Sequence, residues 1–139
     1  MLKINLDQKQ KIKEIGKKNG LLFAVAFGSA TTGKRSAETD LDIAVLTKKE
    51  PDYRLFKKLF SAFSDVFEGE NVDLRFLNGA DPLFRSQAVK NGQLLYGNRK
   101  GFDEFRAYAY RSLIDDGRKY FPYLEKLIEQ NQKILEANL

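Results

Sequence analysis

Residues 21–46 read LLFAVAFGSATTGKRSAETDLDIAVL: two apolar runs flanking a polar stretch. The first run, Leu21 to Phe27, is continuous and stops at Gly28-Ser29. A run of that length closed by a turn predicts a strand buried on both faces. The second run, Asp40 to Leu46, alternates and predicts another strand that opens on Asp40-Leu41-Asp42. Between them, residues 30–39 (ATTGKRSAET) predict a polar loop or a short helix. Positions i and i+2 of a strand share a face, so Asp40 and Asp42 stand side by side at a strand mouth. Two ionised carboxylates held that way repel, and partial burial strengthens the repulsion. A divalent cation between them relieves it.

Composition narrows the chemistry. The chain has 139 residues, no cysteine and no histidine. Disulfides, thiolate zinc sites, His general bases and Ser–His triads are therefore excluded. Oxygen ligation remains, which favours Mg²⁺ or Mn²⁺. Hydrophobic residues at 42% and charged residues at 31% fit one soluble globular domain with a real core. The N-terminal MLKINLDQKQKIKEIGKK lacks the apolar core of a signal peptide, and no apolar run approaches membrane length. A cytoplasmic location and no membrane partner are expected. The net charge of +5 sits toward the front of the chain, where residues 1–19 hold six Lys against Asp7 and Glu14. That face is either a solvated helix surface or a surface for an anionic partner.

Working outward, Asp7 to Lys18 predicts a helix, with Asp7 as its cap and Gly20 past its end. Pro51 to Phe67 predicts a strongly amphipathic helix, with Leu55, Leu59, Phe63 and Val66 on one stripe. Asn71 to Leu77 (NVDLRFL) alternates as a third strand: Val72, Leu74 and Phe76 face one way, Asp73 and Arg75 the other. If this strand pairs beside the second, Asp73 becomes a third carboxylate, the usual protein share of a two-metal site. Arg75 either holds a phosphate or neutralises the carboxylates. Asp81-Pro82 opens a helix that stops near Gly92. Leu94 to Tyr96 predicts a short edge strand, Asn98 to Gly101 a hinge, and residues 102–137 a helical tail broken between Gly117 and Pro122. The order is α-β-β-α-β-α plus a tail. It predicts an α/β (α+β) fold, a small mixed sheet with helices on one side. The aromatic-rich tail packs on its own domain or forms a partner or dimer interface.

Gly28-Ser29 reads as the anion-binding corner. A glycine lets the backbone approach a ligand closely, and free N–H groups at a following helix start face an anion. The Ser29 hydroxyl can donate to a phosphate oxygen. Lys34 and Arg35 in the connecting segment either reach the same triphosphate or lie exposed.

The segment AFGSATTGKRSAETDLDIAVL resembles the core of the DNA polymerase beta-like nucleotidyltransferase superfamily. It is most similar to the minimal nucleotidyltransferase (MNT) branch, the MntA-type antitoxins of HEPN/MNT toxin–antitoxin pairs. NVDLRFL resembles the strand of the third carboxylate, and ADPLFRSQAVKNGQLLYG the helix and closing strand that follow. The resemblance implies a nucleotidyltransferase domain over residues 1–98 and a helical extension over 99–139. It implies that Gly28 and Ser29 hold the triphosphate of ATP. Asp40 and Asp42 would bind two magnesium ions. Asp73 would bind the catalytic one and help to deprotonate the incoming hydroxyl. The family often carries Arg where Thr32 stands before Gly33. The implied acceptor is a tyrosine of a cognate HEPN ribonuclease toxin, supplied in trans. Two other readings stay open: transfer to a small molecule or RNA with a partner subunit, and a non-catalytic antitoxin that acts by binding. Direct nucleic-acid binding is not expected.

Overall fold

Leu21–Phe27 forms a strand, β1, at the centre of a four-stranded sheet in a computed structural model of the protein. The structure describes residues 1–29 and 40–116, with residues 125, 126, 128–130 and 133 beyond them. Lys34, Arg35, Thr32 and Gly33 lie outside the described residues, as does the expected break between Gly117 and Pro122.

Helix α1 (Leu6–Lys18) precedes β1, and β2 (Leu41–Thr47) follows. Helix α2 (Tyr53–Val66) leads to β3 (Val72–Phe76), and α3 (Pro82–Lys90) leads to β4 (Gln93–Gly97). Helix α4 (Arg99–Asp115) comes last. The sheet order is β3-β2-β1-β4. β1 pairs antiparallel with β2 and with β4, while β2 and β3 run parallel. A parallel pair needs a crossover, and α2 supplies it.

Three helix starts differ from their sequence expectations. Helix α1 is capped by Asn5, not Asp7: the Asn5 side chain accepts from the backbone N–H of Gln8, and the Gln8 side chain accepts from the Asn5 backbone N–H. This reciprocal pair satisfies two donors that an Asp7 cap would strand. Asp7 instead forms a surface pair with Lys11 at 3.2 Å. Asn98 to Gly101 is no hinge, because Asn98 caps α4 by accepting from Gly101 N at 3.0 Å. The cap at Asp81, with Pro82 behind it, falls where the sequence places it, whereas α2 begins at Tyr53 behind an Asp52 cap, two residues past the expected Pro51 start.

The larger core lies on one sheet face. Ile12 and Ile15 of α1, with Leu59 and Phe63 of α2, close over Leu41, Ile43, Val45 and Leu74. The expectation of helices on one side holds for α1 and α2. The opposite face carries a second cluster, where Ala88 and Val89 of α3 and Phe102 and Ala109 of α4 cover Phe23, Val25 and Ala44. Phe23 meets Phe102 and Phe105 edge to face, at ring-centroid distances of 5.3 Å and 5.1 Å. The first part of the predicted tail thus packs on the sheet. The β2–β3 end of this second face carries polar side chains, and there the candidate site lies.

Candidate active site

The parallel pairing of β2 and β3 decides the geometry. Its register sets Asp42 opposite Asp73 and Ala44 opposite Arg75. Period-two alternation turns Ile43, Val45 and Leu74 into the larger core, so Asp42, Asp73 and Arg75 share the other face. The β1–β2 register adds Phe27, which lies opposite Asp42.

Gly28 ends β1 with φ +70°, in the left-handed region that disfavours a side chain. A Cβ there would stand 2.6 Å from Asp42 Oδ2, so the backbone lies against the carboxylate. Ser29 follows directly at this turn, at the same end of the sheet as Asp42.

Burial of Asp42 raises its carboxyl above the ordinary carboxylate range. The like charges of Asp73 and then Asp40 push it further, Arg75 opposes them, and a hydrogen bond with Asp73 adds to the rise. A carboxyl lifted by burial and by like-charged neighbours marks a place where negative charge is concentrated. Arg75 approaches Asp73 with Nε 3.8 Å from Oδ2.

Asp40 stands two residues before Asp42. It is exposed just before β2, and its Oδ1 accepts from Asn71 Nδ2 at 2.6 Å. Asn71 also holds the start of β2, since its carbonyl accepts from Leu41 N at 2.8 Å. Among the described residues, no three acidic side chains stand close enough to cage a metal ion. The pair in contact is Asp42 and Asp73, and Asp40 reaches Asp42 through its charge. The donor set suits a hard divalent cation: carboxylate oxygens only, in mutual repulsion.

Three residues of this site escape sequence reasoning. Asn71 could have been found, because it precedes Val72 by one and Val72 pairs with Leu41. Phe27 and Phe84 could not. Phe84, on α3, meets Phe27 edge to face at 5.9 Å, and the Arg75 guanidinium carbon lies 5.2 Å from its ring centre. No periodic signal brings α3 to that place.

A glycine turn, an acidic pair on neighbouring parallel strands and an antiparallel partner strand together define a nucleotidyltransferase fold. The chain belongs to the polymerase beta nucleotidyltransferase family, whose model matches residues 10–101. Solved structures share the fold. A mutant of the MntA–HpeT toxin–antitoxin complex matches with a TM-score of 0.72 at 20% identity, over 86% of this chain and 98% of that one. A toxin–antitoxin structure with AMP-PNP matches at 0.68 and 25% identity, over 86% and 98%. The tri-AMPylated Shewanella oneidensis HEPN toxin in complex with its MNT antitoxin gives 0.67 and 21%, over 87% and 96%. A comparison with curated protein sequences gives no significant match. No helix among the described residues is long and apolar enough to cross a membrane.

Proposed function

We propose that this protein transfers AMP from ATP to a hydroxyl, and that the acceptor is a tyrosine of a HEPN ribonuclease toxin, which it thereby silences as an antitoxin. The observation that carries this reading is the Asp42–Asp73 pair set against the Gly28 turn. The AMP-PNP and AMPylated-toxin structures with the same fold support the donor and the class of acceptor. An ATP donor and a toxin acceptor support a cytoplasmic site for this activity.

Asp40, Asp42 and Asp73 would hold magnesium, two ions in all, with manganese acceptable to the same oxygen donors. When bound, such ions lower the pKa of the acceptor hydroxyl and neutralise charge on the leaving pyrophosphate. The chain's own groups do the rest. Gly28 lets the triphosphate lie against the backbone, and Ser29 donates its hydroxyl to a phosphate oxygen. Asp73 takes up the proton of the attacking hydroxyl. Arg75, with Lys34 and Arg35, supplies positive charge to the phosphates. Attack in line with the leaving group needs positioning and charge neutralisation, not a covalent intermediate, so a chain without His is competent.

The test is an intact-mass measurement of a cognate HEPN protein after incubation with this protein and Mg-ATP. The expected result is an AMP adduct that maps to a tyrosine and is absent with Asp42→Ala or Asp73→Ala. A tight complex without adduct sinks the catalytic reading in favour of a binding antitoxin. No complex, with nucleotide passed to RNA or a small acceptor, sinks the choice of acceptor.

A further inference from the structure

Four residues on the second sheet face and Phe84 of α3 form a closed circuit. Phe27 pairs with Asp42 across β1 and β2, and Asp42 with Asp73 across β2 and β3. Asp73 faces Arg75 on its own strand at 3.8 Å. The Arg75 guanidinium carbon lies 5.2 Å from the Phe84 ring centre, and Phe84 meets Phe27 at 5.9 Å with planes 76° apart. The circuit thus returns to the residue beside Gly28. Two of its members are acids and one is a cation. The two aromatic rings carry no charge and do not enter the carboxylate chemistry.

An arginine on an edge strand with its side chain 57% exposed would ordinarily sample many rotamers. Here one edge of the guanidinium faces Asp73 and one face meets Phe84. A planar cation over an aromatic face is attracted by the ring's quadrupole and keeps its remaining N–H donors for another acceptor. Among the described residues the guanidinium makes no hydrogen bond, so those donors stay available. Phe84 is itself fixed, since it packs on the second core cluster and against Phe27.

We propose that Phe84 is a positioning residue: it holds the Arg75 guanidinium beside Asp73 so that Arg75 meets an anionic group of the bound nucleotide. This rests on the AMP-transfer reading. Phe84 acts only through Arg75, which separates it from an ordinary core residue.

The experiment measures kcat/KM for Mg-ATP in AMP transfer to the HEPN partner, with the full chain. Phe84→Leu keeps an apolar side chain and removes the ring, and Arg75→Lys keeps the charge and removes the planar cation. Each is expected to lose about tenfold, with Phe84→Tyr restoring activity. On an Arg75→Ala background, Phe84→Leu is expected to add no further loss. Should Phe84→Leu fail to fold, the Arg75→Lys and Phe84→Tyr results decide. Full activity in Arg75→Lys or Phe84→Leu, or an additive loss in the double variant, overturns the proposal while leaving AMP transfer intact. A wild type that transfers no nucleotide overturns both.

Discussion

Gly20 and Gly28 both have positive φ, +64° and +70°, yet their surroundings differ. A Cβ at Gly20 meets nothing within 4 Å, whereas one at Gly28 meets Asp42 Oδ2 at 2.6 Å. Alanine at either position costs about 1–2 kcal/mol of backbone strain. Only Gly28→Ala should also displace the acidic pair and cut AMP transfer, on the order of 100-fold. Melting curves and transfer rates on the two variants separate the effects, and an active Gly28→Ala contradicts the site. Asp42 gives a second prediction. Its carboxyl titrates above the ordinary range, so the folded chain binds a proton there more readily than the unfolded chain does. Stability of the metal-free protein therefore falls as pH rises from the ordinary carboxylate value through the raised one, and stays reduced above it. Asp42→Asn should flatten that profile and raise the melting temperature at neutral pH while abolishing transfer. A lower neutral-pH melting temperature in the variant would count against it. Asp42, Asp73 and Gly28 were legible in the sequence because strand alternation and a glycine corner are local signals. The hydrogen bond from Asn71 to Asp40 becomes legible only once β3 is paired beside β2.

At the scale of elements, hydrophobic period announced the strands and α2, and the Asp81-Pro82 pair announced α3, but helix starts did not follow from period. A cap is decided by one or two hydrogen bonds, and several polar residues near a helix start can compete for them. At α1, Asn5 wins over Asp7 because Gln8 completes the reciprocal pair. Asn5→Ala is expected to cost ~1 kcal/mol in a denaturant or thermal melt, by the usual worth of a cap. Asp7→Ala, which loses only an exposed pair with Lys11, is expected to cost at most ~0.5 kcal/mol. Equal losses would return the cap to Asp7. Neither variant should change AMP transfer, because α1 packs on the sheet face opposite Asp42 and Asp73.

For the whole molecule, the second core was the least legible part. The apolar periodicity of α3 is weak, and Phe102 and Phe105 sit in a stretch that reads either as packing on its own domain or as a partner or dimer interface. Only the sheet shows why they are needed: Phe23 and Val25 face away from the larger core and require a cover. Phe63 and Phe102, both fully buried on opposite faces, each fill a different cluster. Phe63→Ala and Phe102→Ala should each cost about 3–5 kcal/mol and each melt in one transition by every probe. A Phe102→Ala protein that keeps its stability would detach α4 from the domain. The parallel pairing of β2 and β3 has a temporal side as well. Asp42 and Asp73 are distant in sequence and become neighbours only after α2 has crossed the sheet and docked through Leu59 and Phe63. A partly folded or still-growing chain therefore owns its acidic residues but not their adjacency. On the proposed function, an unfinished copy would have no half-built centre with which to divert nucleotide or modify a wrong target.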